Sequence, residues 1–455
     1  MKIRKFSAVN LNGYINFRQL HFDPQLTFLV GINGSGKTSL IRAIMALITP
    51  DVDWLMTAAF EKVSVEVEIG QDIIEVHASK SSDGCRVSFL RNGLAVSSFD
   101  LNSQTYTRLV RDREEWEFDD DVEPITISES YSRIPDGIEV FDQIKRLPTP
   151  IFLGLDRTTL GPDRTHASRP RRIRSTRRMH PTIRSFLDES VAQAEALALE
   201  AQRSAQSQRA RLASKLREDI LLSLFRDPKA ASSGMPRHGE AKRHDRARRS
   251  LKEAFSFMGL PADRISAAID PFYSELIGLA SVLSGKSVQQ IFQSDDQTLR
   301  NRWMEWQSFQ QQLYLVNGVD ELVSEFNRSE KIIFMAIRKY EDILNSFFFD
   351  SKKKLRLTED FDIELDLPSG KTGDVYFLSS GERQLFVLIT ALMFNDDADQ
   401  ADLVIIDEPE LSLHIKWQES FVGSLMDANP HAQLIMATHS PSIISGRQEY
   451  CVSLV

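Results

Sequence analysis

The chain has 455 residues, of which 42% are hydrophobic and 26% charged, a composition that predicts a folded protein with two or three lobes. It contains neither an apolar run of the roughly 18 to 20 residues that cross a bilayer nor a signal-peptide core, so we expect a cytoplasmic protein without a membrane partner. The formal charge of −9 argues against coating nucleic acid by bulk charge, and two distant cysteines, Cys85 and Cys451, indicate inert thiols rather than a disulfide framework or a zinc site.

The first hundred residues have the pattern of β-strands. The opening stretch alternates apolar and polar residues, and the apolar run LTFLV leads directly into GINGSGKT, which predicts a strand, a loop and a helix. Between residues 61 and 100, short alternating stretches are separated by turn signals such as SSDG and RNG. This region is therefore expected to form an antiparallel β-subdomain.

The middle of the chain has a helical pattern. It begins at about residue 180 as a long, polar, alanine-rich stretch, is interrupted at 227–245 by a segment rich in Pro, Gly, Ser and charge, and resumes from about 246 to 349. We expect an exposed loop at the interruption, and helices too short and too often broken for a coiled-coil arm. Two strand patterns, KKLRL and FDIELDL, then precede two βα units.

The segment from Gly31 to Thr38 has the spacing of a phosphate-binding loop. In such a loop, backbone N–H groups turn inward on phosphates at a helix N-terminus, where the helix dipole favours anions. The nucleotide-binding residues predicted here are Gly31, Asn33, Gly34, Ser35, Gly36, Lys37, Thr38 and Ser39. Lys37 would neutralise the β and γ phosphates of ATP, and the Thr38 hydroxyl would ligate Mg²⁺. The alternative is a chance glycine-rich turn, which the position between an apolar strand and an amphipathic helix disfavours.

The run LVIIDE supplies two consecutive acids at the end of an apolar strand. A buried strand can aim one carboxylate, Asp407, at a Mg²⁺ ion and the next, Glu408, at an attacking water. The alternative is that the two acids only cap the following turn.

Three further segments make the pattern specific: LSSGE at 378–382, DEPELSLH at 407–414 and ATHSP at 437–441. Their order after the phosphate loop resembles that of ABC-type ATPases. The resemblance implies an α/β fold, namely a P-loop ATPase head with an antiparallel β-subdomain and a large α-helical insertion. It also implies ATP and Mg²⁺ as cofactors, and at least a homodimer in which two protomers sandwich two ATP molecules.

The same resemblance assigns roles to individual residues. The signature residues Ser379, Ser380, Gly381 and Glu382 would contact the ATP of the partner protomer. Glu408 would be the general base, His439 would hold the γ-phosphate, and Ser412, in the D-loop, would lie at the dimer seam. Taken alone, LSSGE also fits an ordinary helix N-cap completed by Glu382, and His439 also fits a core histidine.

The family pattern divides the chain into three parts. Residues 1–155 would be the N-terminal half of the ATPase core with the β-subdomain, 156–349 a helical insertion, and 350–455 the C-terminal half. The glutamine that normally senses Mg²⁺ has only a weak candidate in Gln143. Asp156 or Arg157 are alternatives.

One segment is unusually basic. Six arginines and no acid occur in RPRRIRSTRR, namely Arg169, Arg171, Arg172, Arg174, Arg177 and Arg178, whereas residues 114–123 hold seven acids and no base. The run could contact nucleic acid, dock an acidic protein, or be ordinary solvated surface.

A single cassette split by a helical insert is similar to the SMC and RecF branch. It is closer still to the OLD family and to the ATPase subunits of the Septu and PARIS antiphage systems. OLD proteins continue into a Toprim nuclease domain, which we do not expect here. The resemblance supports two hypotheses: a defence switch that controls a separate toxic effector, such as a nuclease, or a repair ATPase that clamps DNA.

Overall fold

The computed structural model describes residues 1–104, 106–107, 138–153, 159–160, 186–223, 236, 239–257, 261–293, 296–394, 403–411 and 413–454. The chain divides into two compact units, the first made of Met1–Glu200 with Lys339–Val455 and the second of Ala201–Arg338. Several predicted features lie outside the described residues, namely the six arginines of 169–178, the acidic stretch 114–123, Asp156, Arg157 and Ser412.

The described strands all belong to the first unit. They are β1 (Lys2–Leu11), β2 (Ile15–His21), β3 (Leu26–Val30), β4 (Lys62–Ile69), β5 (Asp72–Ser81), β6 (Gly84–Arg91), β7 (Leu94–Asn102), β8 (Ile151–Leu153), β9 (Thr159–Leu160), β10 (Lys354–Leu357), β11 (Ile363–Asp366), β12 (Thr372–Gly373), β13 (Leu403–Asp407), β14 (Gln433–Ala437) and β15 (Cys451–Ser453). The order β2-β1-β4-β5-β6-β7 forms an antiparallel sheet, and β10-β11-β12 forms a small one. A third sheet has the order β15-β3-β14-β13-β8-β9, and its strands are parallel except for β9.

The helices of the first unit are α1 (Lys37–Ile48), α2 (Val52–Thr57), α3 (Glu139–Lys145), the start of α4 (Phe186–Ser223), most of α9 (Met335–Phe348), α10 (Ser380–Phe394), α11 (Ile415–Ala428) and α12 (Pro441–Ile444). The second unit contains the rest of α4 and the start of α9 with α5 (Glu240–Phe257), α6 (Ala262–Leu283), α7 (Val288–Gln293) and α8 (Gln297–Ile333). It has its own core, in which Tyr273 and Trp306 are almost completely buried.

The parallel sheet separates two hydrophobic cores of the first unit. Because successive side chains of a strand point to opposite faces, Ile405 packs in one core and its neighbours Val404 and Ile406 in the other. The first core contains the apolar face of α1 and the antiparallel sheet, and the second contains α9, α10 and α11. Every residue of β13 and β14 is buried, as expected for parallel strands covered on both faces.

One buried side chain joins the two large sheets. Gln433, at the start of β14, accepts a hydrogen bond from the Ile3 N–H at 2.6 Å and donates to the carbonyl oxygens of Ile3 at 2.7 Å and Asp23 at 2.8 Å. It is completely buried. Strand β1 is thereby tied to the end of the sheet opposite the edge where β13 and β14 finish.

The predicted fold class is confirmed, with a parallel-sheet core, an antiparallel sheet and a large helical region. The expectation of short, broken helices was wrong, because α4 has 38 residues and α8 has 37. Both are rich in good helix formers, and the glycine within α8, Gly318, is tolerated there. Burial raises the pKa of the Cys85 thiol to about 11, which keeps it protonated and unreactive near neutral pH.

None of the helices in the described ranges is long and apolar enough to cross a membrane.

Candidate nucleotide-binding site

The predicted chemistry lies at the carboxyl edge, defined as the edge of the parallel sheet where β3, β13 and β14 end. In the strand register Asp407 pairs with Ala437, and Ala437 pairs with Leu29, two residues before Gly31. Polar residues that follow these three strands therefore come together at one edge of the sheet, which is the usual ligand position in parallel α/β folds.

The phosphate loop, Gly31 to Thr38, has the backbone conformation that its glycines predict. Gly34 has a φ of 85° and Gly36 a φ of 92°, and α1 begins at Lys37 with no side chain capping its N-terminus. A Cβ on Gly36 would lie 2.8 Å from Ile15 Cδ1, so a larger residue does not fit without movement. The free N–H groups of the first turn of α1 thus remain available to an anion.

Lys37 is 5% exposed and bends back over its own loop. Its Nζ donates to the Gly31 carbonyl at 3.0 Å and to the Ile32 carbonyl at 3.4 Å. Burial lowers the pKa of Lys37, and three nearby carboxylates, those of Glu408, Asp407 and Glu410, oppose this effect. One buried cation therefore faces three acids at the carboxyl edge.

Asp407 is 4% exposed and ends β13. Burial raises its pKa, and a hydrogen bond with the Thr38 side chain counters the effect. Its Oδ1 atom finds no hydrogen-bond partner among the described residues, and neither does the buried Oγ of Ser35 in the phosphate loop. A buried carboxylate oxygen without a donor suits a cation, so the pair Asp407 and Thr38 fits a Mg²⁺ ion that takes its other ligands from phosphates and water.

Glu408 is held in an unusual backbone conformation. Its φ is 51°, in the left-handed region that residues with a Cβ rarely adopt. Its N–H donates to the Ala437 carbonyl at 2.8 Å, and its carbonyl accepts from the Leu411 N–H at 3.2 Å. Such conformations concentrate at functional sites, where the surrounding structure maintains them.

His439 follows β14 at the same edge and is exposed, so it is not a core histidine. Its backbone N–H donates to Glu410 at 2.6 Å, and the preceding Thr438 hydroxyl donates to the same carboxylate at 2.8 Å. Sequence reasoning missed Glu410. The only signal available for it was a third acid in the run DEPE.

The signature segment, Leu378 to Glu382, forms a capping box at the start of α10. The Ser379 N–H donates to Glu382 Oε2 at 2.6 Å, and Ser379 Oγ accepts from the Glu382 N–H at 3.4 Å. Glu382 is buried and also receives bonds from Lys353 and Ser351, each at 2.7 Å. Within the chain, Glu382 therefore caps α10, as the N-cap interpretation predicts. Contact of this segment with the ATP of a partner protomer stays a prediction.

The signature serines remain free to face outward. Ser379 and Ser380 are exposed and Gly381 is partly exposed. Within the described part of the chain, the side-chain and backbone bonds of Ser379 run to Glu382 and Arg383 and do not reach the phosphate loop. Among the described residues, no hydrogen bond joins the signature segment to the phosphate loop within one protomer.

The structure also describes two other predicted positions, Ser39 and Gln143. Ser39 accepts a hydrogen bond from the Asn12 side chain at 2.8 Å, which fixes the β1–β2 turn over the start of α1. Gln143 lies in α3, which packs against β6, β7 and α1. Its role as a Mg²⁺ sensor stays a prediction.

Comparison with known proteins gives two family matches. A family described as "AAA domain" matches residues 3–225, and one described as "AAA domain, putative AbiEii toxin, Type IV TA system" matches residues 288–445. Among solved structures, SMC head domains from Pyrococcus furiosus and Thermotoga maritima are similar with TM-scores of 0.37 and 0.36. They share 12% and 11% identity with this chain, and the alignments cover 98% and 99% of it and 91% and 92% of those chains.

Two curated relatives match parts of the sequence. The "Retron Vc95 probable ATPase" of Vibrio cholerae serotype O1 biovar El Tor is 26% identical over 143 residues, which are 29% of this chain and 28% of the relative. The Septu protein PtuA of Bacillus thuringiensis is 34% identical over 113 residues, 22% of this chain and 27% of the relative. The chain thus matches just over a quarter of the length of each relative. The two family matches fall on the segments that supply the phosphate loop, within residues 3–225, and the Asp407–Glu408 pair, within residues 288–445. Each of these segments is thus similar to a family described as an AAA domain.

Proposed function

We propose that the chain binds and hydrolyses ATP with Mg²⁺ at the carboxyl edge. The observation that carries the proposal is the convergence there of one buried lysine, Lys37, with the acids Asp407 and Glu408 beside an uncapped helix N-terminus. The family matches and the two relatives support an ATPase reaction over other uses of a phosphate site.

The phosphates of ATP would lie on the N–H groups of the phosphate loop. Lys37 would exchange its bonds with the Gly31 and Ile32 carbonyls for contacts with the β and γ phosphates, whose charge also favours the protonated amine. Asp407 and Thr38 would hold Mg²⁺, which when bound neutralises charge on the phosphates.

Glu408 is the residue best placed to accept a proton from the attacking water. It directly follows Asp407, the proposed Mg²⁺ ligand, and its left-handed backbone turns its side chain out of the strand alternation. His439, exposed at the end of the neighbouring strand, would contact the γ-phosphate from the other side. The two residues would thus hold the water and the phosphate in line.

A second protomer would complete each site. Ser379 and Ser380 are exposed at the start of a helix, where hydroxyl and N–H donors suit an anion. Since no bond links them to the phosphate loop within the described chain, an ATP shared between two copies accounts for both features. A homodimer is therefore the smallest active assembly that we propose, and higher oligomers are compatible with it.

We further propose that this ATPase is the regulatory switch of an antiphage defence system and controls a separate toxic effector, such as a nuclease. The support is the sequence similarity to the retron Vc95 probable ATPase and to Septu protein PtuA. A switch of this kind requires an effector affinity that differs between the ATP-bound and hydrolysed states. The six arginines of 169–178 are candidate contacts for nucleic acid or for that effector.

The central test is the Glu408→Gln variant, with the exposed Glu419→Gln on α11 as its charge-matched control. Glutamine keeps the shape of the side chain but loses the base, so turnover should fall at least about 100-fold while ATP binding persists. Light scattering should then detect an accumulated ATP-bound oligomer. Hydrolysis at the wild-type rate would remove Glu408 from the role of base, and a wild-type protein that does not bind ATP would refute the proposed activity.

The switch proposal needs a separate experiment. Co-expression with the neighbouring gene and affinity purification should return a stable complex, and Lys37→Ala should change whether a trigger releases the partner. Purified protein that binds DNA in an ATP-dependent manner, with no partner and no toxicity from the neighbour, would instead favour the repair clamp.

A further inference from the structure

Glu410 lies two residues after Glu408 in the short 3-10 turn Pro409–Leu411, and both of its carboxylate oxygens are bonded within the protein. Oε2 accepts from the Thr438 hydroxyl at 2.8 Å, and Oε1 accepts from the His439 N–H at 2.6 Å. These donors are consecutive residues just beyond β14. The carboxylate therefore connects the turn after β13 with the end of the neighbouring strand.

The hydrogen-bond directions around Thr438 are fixed. Its Oγ1 accepts from the Ser440 N–H at 3.0 Å, so its own proton is directed to Glu410. Ser440 in turn donates its hydroxyl to Gln418 on α11 at 2.6 Å. Ser440 thus donates in two directions, from its hydroxyl to Gln418 and from its N–H to Thr438, and Glu410 is the final acceptor on the Thr438 side. Hydrogen bonds to an ionised carboxylate are stronger than those between neutral groups.

The Glu410 carboxylate lies in the same turn as Glu408, the residue with the left-handed backbone. Glu408 has a φ of 51°, and its N–H is bonded to Ala437, the residue that precedes Thr438. Glu408 is bonded to Ala437, and Glu410 is bonded to Thr438 and His439. The turn is therefore held against the end of β14 on both sides of Pro409. A left-handed backbone persists only when its surroundings impose it, and these contacts supply that restraint.

A direct chemical role for Glu410 is disfavoured by its own contacts. Each of its oxygens already accepts a bond from a protein donor, so a role as base or metal ligand would compete with these two bonds. We therefore assign its action to the residues it bonds, Thr438 and His439, and to the turn that it shares with Glu408.

We propose that Glu410 is a positioning residue, a clamp that holds the backbone of His439 against the turn carrying Glu408. The proposed base, Glu408, and the proposed γ-phosphate contact, His439, are thereby kept in position at the same phosphate. This inference rests on the proposed ATPase activity. Glu410 itself does not touch the reacting atoms. The negative charge of Glu410 also raises the pKa of Lys37. An effect of Glu410 on turnover could therefore come from its charge or from its hydrogen bonds, and the test must separate the two.

The test compares variants that keep or remove the bonds. Glu410→Ala loses both acceptors, whereas Glu410→Gln keeps the shape and an oxygen for the His439 N–H while its amide can donate to Thr438. We expect Glu410→Ala to lower kcat roughly 100-fold with KM changed less than about threefold, and Glu410→Gln to retain about a third of kcat or more. Glu419→Gln is the charge control on exposed surface.

The partner side is tested with Thr438. Thr438→Val removes the hydroxyl at constant volume and should lower kcat, and Thr438→Ser should restore it. Combined with Glu410→Ala, Thr438→Val should cause a smaller loss than the sum of the two single losses, because both changes break the bond between Thr438 and Glu410. Thr438→Val additionally removes the acceptor of the Ser440 N–H. Full additivity of the two losses would overturn the clamp, as would equal loss in Glu410→Gln and Glu410→Ala, which would point to charge alone.

A measurement without nucleotide separates this inference from the proposed function. Backbone hydrogen exchange over residues 438–440 should be faster in Glu410→Ala than in wild type and unchanged in Glu410→Gln and Glu419→Gln. An inactive wild-type protein would refute the proposed function and the catalytic part of the inference together. Unchanged exchange in Glu410→Ala with an active wild type would refute the clamp alone.

Discussion

Replacing Gln433 by methionine tests how much of the fold depends on one buried amide. Methionine has a similar volume and flexibility but neither a donor nor a strong acceptor. The change leaves the Ile3 N–H and carbonyl and the Asp23 carbonyl without the partner they now share at 2.6 to 2.8 Å. Each buried backbone group left unsatisfied costs about 1–3 kcal/mol. Because the bonds to Ile3 are buried, we expect the first unit to lose about 3–5 kcal/mol, a large part of a typical total of about 5–15 kcal/mol.

Urea unfolding measures this loss. The two units need not unfold together, so hydrogen exchange on peptides from β1 and β14 should accompany the spectroscopic signal. Gln19→Met, on the exposed face of β2, removes an amide without removing a buried bond and serves as the control. If Gln433→Met unfolds within about 0.5 kcal/mol of wild type, the assignment of Gln433 as the link between the sheets is wrong.

Two further predictions concern the proposed nucleotide site. Lys37→Ala protomers mixed with Ser379→Arg protomers should regain about one working site per dimer, and a mixture as inactive as either mutant would contradict the shared site. Gly36→Ala should weaken ATP binding at least about tenfold, because the φ of Gly36 is 92° and Ile15 lies 2.8 Å from the added Cβ. Gly34→Ala should weaken ATP binding less, because Gly34 has a φ of 85° but its added Cβ would lie in open space. Equal affinities by calorimetry would refute this packing argument.

Local chemistry was predictable from the sequence, because it depends on neighbours along the chain. The glycine spacing of the phosphate loop and the apolar run before Asp407 were enough to place a loop at a helix N-terminus and an acid at a strand end. The roles of these residues in catalysis stay predictions. The alternation of residues 61–100 likewise predicted an antiparallel β-subdomain, and the antiparallel strands β4 to β7 are observed there.

Long-range pairing was not predictable. Strands β1 and β2 belong to the same sheet as β4 to β7, and pairs such as Lys5 with Glu66 join segments that carry no shared signal. Gln433 contacts Ile3 across 430 positions, and nothing in its neighbourhood distinguishes it from a surface glutamine. The short strand β12 was missed as well, since two residues do not establish a period.

The second unit contains a buried histidine with an incomplete environment. His244, on α5, is 4% exposed, and its ring packs 6.5 Å from that of Trp306. Its Nε2 atom has no hydrogen-bond partner in the described part of the chain, and the Glu240 carboxylate is 4.0 Å away. Burial lowers the pKa of His244, Glu240 opposes this effect, and Arg243 adds to it. At a pH where His244 begins to bind a proton in the unfolded chain, its ring is therefore still neutral in the folded unit.

This difference predicts a stability that falls on acidification. Below the ordinary histidine pKa of about 6.5 the unfolded chain binds more protons at this position than the folded one, so the free energy of unfolding falls until the lower folded pKa is reached. His244→Phe keeps a ring against Trp306 and cannot titrate. In this variant the free energy of unfolding should fall less between about pH 6.5 and 5 than in wild type. Hydrogen exchange on peptides of α6 measures this free energy, because α6 contributes Tyr273 to the core of the second unit. The partly buried acid Asp320, whose pKa burial raises, acts in the opposite direction and is common to both proteins. An unchanged pH slope in His244→Phe would show that His244 is not the group responsible.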